Sequence, residues 1–170
     1  MLTADSIPCV LCASVAQVKG AVPVEWIGVV YNDVKEPTDE GWSAITSEVV
    51  LDETLTDGLD GIEEFSHLLI LFWMHRAPEA EPVRMRRRPQ GRQDMPEVGI
   101  FAQRARHRPN PIGITAVKLL RREKNRLFVQ GLDAINGTPI VDVKPYVPAF
   151  DTVDSPRVPE WIHRLMERYF

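Results

Sequence analysis

Leu68-Leu69-Ile70-Leu71-Phe72-Trp73 is the stretch of sequence that decides the fold. It is a continuous apolar run of strand length, which predicts a β-strand buried on both faces. The segments around it are short, rich in β-forming residues and bounded by Gly, Pro or Asn, so each is also predicted as a strand. These segments are Trp26–Tyr31, Thr46–Leu51, Ile114–Leu120, Leu127–Val129 and Ile140–Val143. Several short strands with such boundaries indicate a β-barrel or a β-sandwich.

The length of 170 residues favours one domain. Residues 1–24 are interpreted as a tail or an irregular segment, because no Lys or Arg precedes their apolar part as a signal peptide requires. Residues 25–155 would form the main domain, in which 77–96 is a long loop rich in Pro and Arg. In 156–170 apolar residues recur at helical spacing, which predicts a C-terminal helix packed on that domain. The fold class is therefore mainly β, with a few short helices besides.

Several kinds of site are excluded or disfavoured. The sequence contains no phosphate-binding loop and no glycine fingerprint of a dinucleotide-binding fold. Cys9 and Cys12 form one Cys-x-x-Cys pair, too few ligands for structural zinc, and are interpreted as small apolar side chains. His67 and His75 would lie on one face of the apolar strand but more than about 20 Å apart, so no metal site is expected. No apolar run is long enough to span a membrane.

Charge is distributed unevenly along the chain, whose net charge is −4. Residues 32–64 carry eleven acids and one lysine, whereas residues 84–108 carry eight arginines and two acids. Such a basic segment can neutralise phosphates and bind RNA. The alternative is a solvated loop whose arginines pair with the acidic segment. The candidate RNA contacts are Arg86, Arg87, Arg88 and Arg106.

Two segments carry unusual polar patterns. In Phe101–Gly113, Pro109 and Pro111 stiffen the backbone, so Arg104, Arg108 and Asn110 would present fixed donors to an anion or a nucleoside. The alternative is a stiff turn with its arginines in solvent.

In the second segment, Asn136–Asp151, alternation along a strand would place Asp142, Lys144 and Tyr146 on one face. An acid, a base and a phenol projecting together could bind a substrate or transfer a proton. An internal ion pair with a capping hydroxyl would explain the same spacing.

These segments resemble the TsaA-like family of tRNA adenine-37 N6-methyltransferases. The family's Arg-Pro-Asn-Pro-Ile-Gly core is present at Arg108–Gly113, and its Gly-Thr-Pro…Asp-x-Lys-Pro-Tyr stretch is present within Asn136–Tyr146. Leu59–His67 and the Ile-Gly-x-Val of Ile27–Val30 are similar too, and Tyr31-Asn32 stands where a Ser-Pro pair is common. The likeness covers Ile27–Asp151, while the first 24 residues and the extra C-terminal domain of longer members find no match.

The resemblance implies a single antiparallel β-barrel that binds S-adenosylmethionine without a dinucleotide fold and works in the cytoplasm as a dimer, with the site near the subunit interface. The implied substrate is N6-threonylcarbamoyladenosine of tRNA, whose N6 receives the methyl group. Two alternatives stay open, a methyltransferase for a small molecule or another RNA, and a non-catalytic nucleotide-binding module of the same fold.

Residue roles follow from the resemblance. Asp142 or Asp151 would act as the base, and Lys144 and Tyr146 would position reacting groups. His67 would either anchor the cofactor or satisfy a polar need of the core. The remaining residues expected to bind the cofactor, or the carboxylate of the substrate, are Phe65, Phe101, Gln103, Arg104, Arg108 and Asn110.

Overall fold

The structure is a closed six-stranded antiparallel barrel, with the strand order β1-β2-β7-β6-β3-β8. It is a computed structural model that describes residues 23–76 and 82–170. The barrel strands are β1 (Gly28–Tyr31), β2 (Thr46–Leu51), β3 (His67–Trp73), β6 (Ile112–Glu123), β7 (Arg126–Gln130) and β8 (Pro139–Pro145). A separate antiparallel pair is formed by β4 (Arg86–Arg87) and β5 (Val98–Gly99). The predicted mainly-β fold is confirmed, and a barrel rather than a sandwich is formed.

The apolar run lies in β3 at the centre of the sheet, between β6 and β8. Leu68, Ile70 and Phe72 point into the barrel and are buried. The alternate residues lie on the outer face, where Leu71 is half-buried and Trp73 is exposed. The prediction of a strand buried on both faces is therefore wrong, because one layer of sheet closes on itself and covers only the inner side of β3.

The barrel interior is filled by inward-facing apolar side chains from all six strands. The buried cluster includes Val30, Val49, Leu51, Leu68, Ile70, Phe72, Val117, Leu127, Val129 and Ile140. Gly113 pairs with Phe72 across β6 and β3, and a Cβ at Gly113 would overlap the Phe72 ring. Only glycine therefore fits at position 113, where the Arg-Pro-Asn-Pro-Ile-Gly loop enters the barrel.

The two ends of the barrel differ in what closes them. We call the end where β3 finishes and β6 begins the upper end, and the end where β3 begins the lower end. At the lower end two 3-10 helices, Glu53–Leu59 and Ile62–Glu64, lie against β6. Arg122 of β6 donates to the Leu59 and Thr56 carbonyls of the first helix and to the Glu63 carboxylate of the second.

The C-terminal segment packs at the upper end. The helical turn α1 (Pro148–Asp151) precedes it and lies at the lower end, directly after β8. The C-terminal segment itself, residues 156–170, contains the helix α2 (Glu160–Met166), so the predicted C-terminal helix is present. After α2, the Arg168 and Tyr169 carbonyls accept hydrogen bonds from the Gly41 and Trp42 amides, both at 2.9 Å. Trp42 is buried, so this contact fixes the segment to the body of the barrel.

The segment predicted as a long loop is partly structured. β4 and a 3-10 turn at Pro89–Gly91 lie within it, and residues 77–81 fall outside the described part. Most of the predicted N-terminal tail, including Cys9 and Cys12, also falls outside. Within the residues described, no helix has the length and apolar character needed to cross a membrane.

Candidate functional site

The Phe101–Gly113 segment crosses the upper end and presents polar and aromatic groups outward. Arg104 donates from Nη2 to the Ile114 carbonyl at 2.9 Å, which leaves its other guanidinium donors available. Phe101 is 72% exposed, and the Arg108 guanidinium lies 6.0 Å from its ring centroid. Asn110 is exposed, and its carbonyl accepts the Ile112 amide at 2.8 Å. The segment therefore combines guanidinium donors with an exposed ring, a combination suited to a carboxylate and a purine.

Gln103 differs from its neighbours in this segment because it is buried. Its Nε2 donates to the Arg87 carbonyl at 3.1 Å and to the Val98 carbonyl at 3.5 Å. The Gln103 amide therefore joins β4 to β5, which is a structural role. The predicted role of Gln103 in binding the cofactor stays a prediction.

The arginine-rich segment is paired locally. Arg86 lies 4.0 Å from Glu97, and Arg92 lies 2.7 Å from Asp94, so the acids that these arginines contact belong to their own segment. Arg88 donates to the Met95 carbonyl, while Arg87 is half-buried and Arg106 is exposed.

The acidic segment finds other partners. Asp60 and Glu63 pair with Arg122, Glu48 with Arg126, and Glu36 with Arg76. Glu40 lies 3.9 Å from Arg168. Among the ion pairs of residues 23–76 and 82–170, none joins the acidic segment to Arg84–Arg108. The alternative in which those two segments neutralise each other is therefore wrong.

Asp142 and Lys144 meet on the outer face of β8. The Lys144 Nζ lies 2.6 Å from the Asp142 Oδ2, and the Asp142 Oδ1 accepts the Val143 amide at 2.9 Å. In the register of β8 with β3, Asp142 stands opposite Leu71 and Lys144 opposite Leu69. Both side chains are partly exposed, so the pair is an oriented carboxylate that solvent or a ligand can reach.

Tyr146 lies beyond the end of β8, at the lower end of the barrel. Its hydroxyl is 3.1 Å from the Thr152 hydroxyl, and its ring meets His67 edge to face at 6.4 Å. His67 is exposed, and its Nδ1 lies 2.9 Å from the Ser66 hydroxyl. The suggested role of His67 in satisfying a polar need of the core is therefore not observed, and its role in binding the cofactor stays a prediction. Phe65 is partly exposed in the same region.

Asp151 also lies here, and it has a structural partner. Its Oδ2 accepts the Val147 amide at 2.7 Å across the α1 turn. That bond satisfies an amide that would otherwise lack a partner in the turn. Asp142 is held in a similar way by Lys144 and the Val143 amide, so the choice between these two carboxylates as the base stays a prediction.

A single chain does not bring the predicted site residues together. Arg104, Arg108 and Asn110 lie at the upper end, His67 and Tyr146 at the lower end, and Asp142 between them on the outer face. β3 separates the two ends by about 20 Å, since six residues rise about 3.3 Å each.

Asn32, which stands where the family commonly has the proline of a Ser-Pro pair, has a structural role in this chain. Its Nδ2 donates to the Ser47 hydroxyl at 2.9 Å and to the Ala134 carbonyl at 2.8 Å. Its backbone amide donates to the Asn136 Oδ1 at 3.1 Å. Asn32 therefore ties the end of β1 to the Asn136-Gly137-Thr138-Pro139 turn that leads into β8.

One polar cluster was missed by sequence reasoning. The Asp133 carboxylate accepts hydrogen bonds from the Thr115 hydroxyl and from the Tyr169 hydroxyl, the latter at 2.6 Å. Burial, together with the Asp133 charge, raises the pKa of Tyr169 above its usual range. Asp133 lies in a loop with no motif, and Tyr169 lies in the segment 156–170 that was predicted only as a helix, so no signal in the sequence pairs them.

No group of three or more His, Cys, Asp or Glu side chains suited to a metal ion occurs among the residues that the structure describes. The His75 Nδ1 is buried without a hydrogen-bond partner, and desolvation, with a contribution from Arg76, lowers the pKa of His75.

Comparison with known proteins gives consistent matches. Residues 31–152 match the family model of the tRNA-methyltransferase O N-terminal domain. A probable S-adenosyl-L-methionine-binding protein from Pyrococcus abyssi is 36% identical over 147 residues, covering 81% of this chain and 74% of that protein. The mouse tRNA (adenine(37)-N6)-methyltransferase is 37% identical over 113 residues, covering 63% of this chain and 24% of that protein.

A crystal structure of TrmO from Pseudomonas aeruginosa superposes with a TM-score of 0.68 at 31% identity. The match covers 84% of this chain and 62% of the TrmO chain. The chain thus spans about three fifths of that solved protein and about a quarter of the mouse enzyme.

Proposed function

The chain belongs to the tRNA-methyltransferase O family, and from that membership we propose that it transfers a methyl group from S-adenosylmethionine to N6 of N6-threonylcarbamoyladenosine at position 37 of tRNA. Binding of S-adenosylmethionine and methyl transfer to tRNA follow from the names of its relatives. We further propose that the acceptor adenosine carries the threonylcarbamoyl group and that the reaction takes place in the cytoplasm.

The observation that carries the proposal is the Phe101–Gly113 segment at the upper end. Its guanidinium groups, on Arg104 and Arg108, suit the carboxylate that both S-adenosylmethionine and a threonyl group carry. The exposed ring of Phe101 suits an adenine, which S-adenosylmethionine and the acceptor nucleoside also share. These residues therefore fit the cofactor without a dinucleotide fold.

The excess of arginines over acids in Arg84–Arg108 supports RNA as the acceptor, because among the described residues only Arg86 and Arg92 pair with acids of that segment. Because the acidic segment pairs with Arg122, Arg126 and Arg76, the chain's net charge of −4 does not describe the surface around β4 and β5. Exposed arginines there can neutralise phosphates and stack on bases.

S-adenosylmethionine, when bound, supplies a methyl group on a positively charged sulfur. The residues of the chain have to hold N6 in line with that methyl group and accept the proton that N6 loses. Orientation of two reactants alone can contribute about 7–11 kcal/mol to lowering the barrier. We assign the proton to a free lone pair of the Asp142 carboxylate, which Lys144 and the Val143 amide hold in one orientation.

A second copy of the chain would complete the site. The outer face of β3 and β6 carries Trp73 opposite Ile112 and Leu71 opposite Ile114, an apolar patch beside Asp142. Monomers rarely leave contiguous apolar patches in water. Because this patch lies near the upper end, a two-fold axis through it would bring the upper-end residues of one copy beside the Asp142 face of its partner. The homodimer is therefore part of the proposal.

The test is methyl transfer from labelled S-adenosylmethionine to total tRNA, with pools that carry or lack the threonylcarbamoyl group. Incorporation only into the modified pool is expected. Incorporation into neither pool, with cofactor binding intact, would assign the acceptor to another molecule.

An Asp142→Asn variant tests the base in the same assay. It keeps the Val143 contact and removes the proton acceptor, so turnover should fall by about 100-fold or more while cofactor affinity stays unchanged. Turnover equal to wild type would remove Asp142 from this role.

A further inference from the structure

The Thr115–Asp133–Tyr169 cluster links the C-terminal segment to the strand that carries the upper-end site. Thr115 belongs to β6 and is buried, and its hydroxyl donates to the Asp133 Oδ1. The Tyr169 hydroxyl donates to the Asp133 Oδ2 at 2.6 Å. Each oxygen of this carboxylate therefore has one donor from the protein.

The phenol of Tyr169 is held in place by its backbone. The Tyr169 carbonyl accepts the Trp42 amide and the Arg168 carbonyl accepts the Gly41 amide, each at 2.9 Å. The Tyr169 ring also meets Phe170 edge to face at 5.0 Å. Because backbone and ring are both fixed, the hydrogen bond to Asp133 is part of a rigid arrangement.

Arg104 lies beside the same cluster. It donates to the carbonyl of Ile114, the residue directly before Thr115 in β6. β7 pairs with β6 only over Lys118–Glu123, so this part of β6 has no strand on that side. The positive charge of Arg104 works to lower the pKa of Tyr169, against the larger effects of burial and Asp133, so the guanidinium lies within electrostatic range of the phenol.

This arrangement has a chemical consequence for Arg104. A carboxylate with an unoccupied lone pair attracts a nearby guanidinium and forms a bidentate pair with it. By donating to the Asp133 Oδ2, while Thr115 donates to Oδ1, the Tyr169 hydroxyl takes one lone pair of that oxygen and weakens the attraction of the carboxylate for a further donor. Arg104 therefore keeps its bond to Ile114 and directs its remaining donors outward.

We propose that Tyr169 is a positioning residue for Arg104: its hydroxyl neutralises the hydrogen-bonding demand of Asp133 and so keeps the Arg104 guanidinium available for the carboxylate of S-adenosylmethionine. The proposal rests on the proposed function, because that function makes Arg104 a ligand-binding residue. It assigns a role in the site to the C-terminal segment, which lies outside the matched residues 31–152.

The experiment measures the dissociation constant of S-adenosylmethionine by calorimetry in the full chain. Tyr169→Phe keeps the ring and removes only the hydroxyl, and we expect it to weaken binding by about tenfold, the scale of one hydrogen bond to a charged group. Tyr31→Phe removes a hydroxyl from an exposed tyrosine of β1 and should leave the constant unchanged.

Two further variants separate positioning from general destabilisation. Arg104→Ala should weaken binding at least as much as Tyr169→Phe, and the double variant should bind no worse than Arg104→Ala, because both changes act through one guanidinium. Asp133→Asn in the Tyr169→Phe background should restore affinity, since a neutral amide does not capture Arg104. A purely structural role of Tyr169 predicts no such restoration.

The outcomes distinguish this proposal from the proposed function. Tyr169→Phe with a lower melting temperature but an unchanged dissociation constant would overturn the positioning role. Unchanged binding in Arg104→Ala would overturn it as well. In both cases methyl transfer to modified tRNA by the wild-type chain would leave the proposed function standing. If the wild-type chain does not methylate modified tRNA but the variants show the expected dissociation constants, the proposed acceptor would be wrong and the role of Tyr169 would stand.

Discussion

Arg122 and Arg108 show two opposite uses of arginine at the two ends of one barrel. The Arg122 side chain is 14% exposed and donates to the carbonyls of Leu59 and Thr56 and to the carboxylate of Asp60. Arg108, at the upper end, has a 3.5 Å contact with the Gln103 carbonyl and lies near the exposed ring of Phe101. The first arginine is fully used by the fold, and the second keeps most of its donors.

This difference teaches where a ligand can be bound. An arginine whose donors all have internal partners stabilises the segments that it joins, and a ligand would have to displace those partners. An arginine with free donors on a stiff loop is already oriented and loses little entropy when it binds an anion. The comparison therefore separates a structural arginine from a functional one within the same family-matched region.

Arg108→Ala tests the functional side and should have the largest effect. Removing an oriented cationic donor from a site typically lowers turnover by about 100-fold, while the melting temperature should stay near that of the wild type. Methyl transfer to modified tRNA and thermal unfolding are measured together. Arg121→Ala is the matched control, because Arg121 stacks on Phe128 at 3.4 Å on the lower half of the barrel. Equal losses in the two variants would contradict the assignment.

Arg122→Ala tests the structural side. The Leu59 and Thr56 carbonyls would lose their donor, so we expect the melting temperature to fall by about 5 °C. Methyl transfer per folded molecule, measured well below that temperature, should stay within about threefold of the wild type. A stable variant that is inactive would show that the lower-end cluster acts in the site.

The strands were predictable because their signal is local. Thr46–Leu51 has the predicted bounds, and the other barrel strands differ by a few residues at their ends. β6 is longer than predicted and runs to Glu123, because its Arg-rich end pairs with β7 although that end lacks apolar alternation. The two-sided burial of Leu68–Trp73 was wrong because periodicity does not distinguish a core strand from a strand whose outer face is apolar.

The site was predictable only in part. The pairing of Asp142 with Lys144 follows from strand alternation, which places residues two apart on one face. The separation of Tyr146 from Arg108 depends on the register of β3 with β6 and β8, which no local pattern specifies. The contact between Asp133 and Tyr169 joins a loop to the C-terminal segment, and only the closed barrel brings these two together.

The arginines of β4 should act through phosphate neutralisation, with a smaller effect. In an Arg86→Ala, Arg87→Ala double variant, we expect the slope of log affinity for tRNA against log salt to decrease by about 1.5, or roughly 0.7–0.9 for each lost contact. Fluorescence anisotropy over a range of potassium chloride concentrations measures this slope. Arg126→Ala is the control, because Arg126 pairs with Glu48 at 2.7 Å. A slope unchanged in the double variant would place the RNA elsewhere.

The Tyr169 hydroxyl should give the smallest effect, visible only at high pH. Burial and the Asp133 charge raise its pKa in the folded chain above the ordinary value of about 10, so the unfolded chain loses this proton first as pH rises. The contribution of the hydroxyl to stability is therefore complete below about pH 10 and decreases above it. Urea unfolding between pH 8 and about 11 should show a steeper loss of stability in the wild type than in Tyr169→Phe. Parallel curves would mean that the phenol is not held by Asp133 in solution, and the role of the C-terminal segment at the upper end would then lose its physical basis.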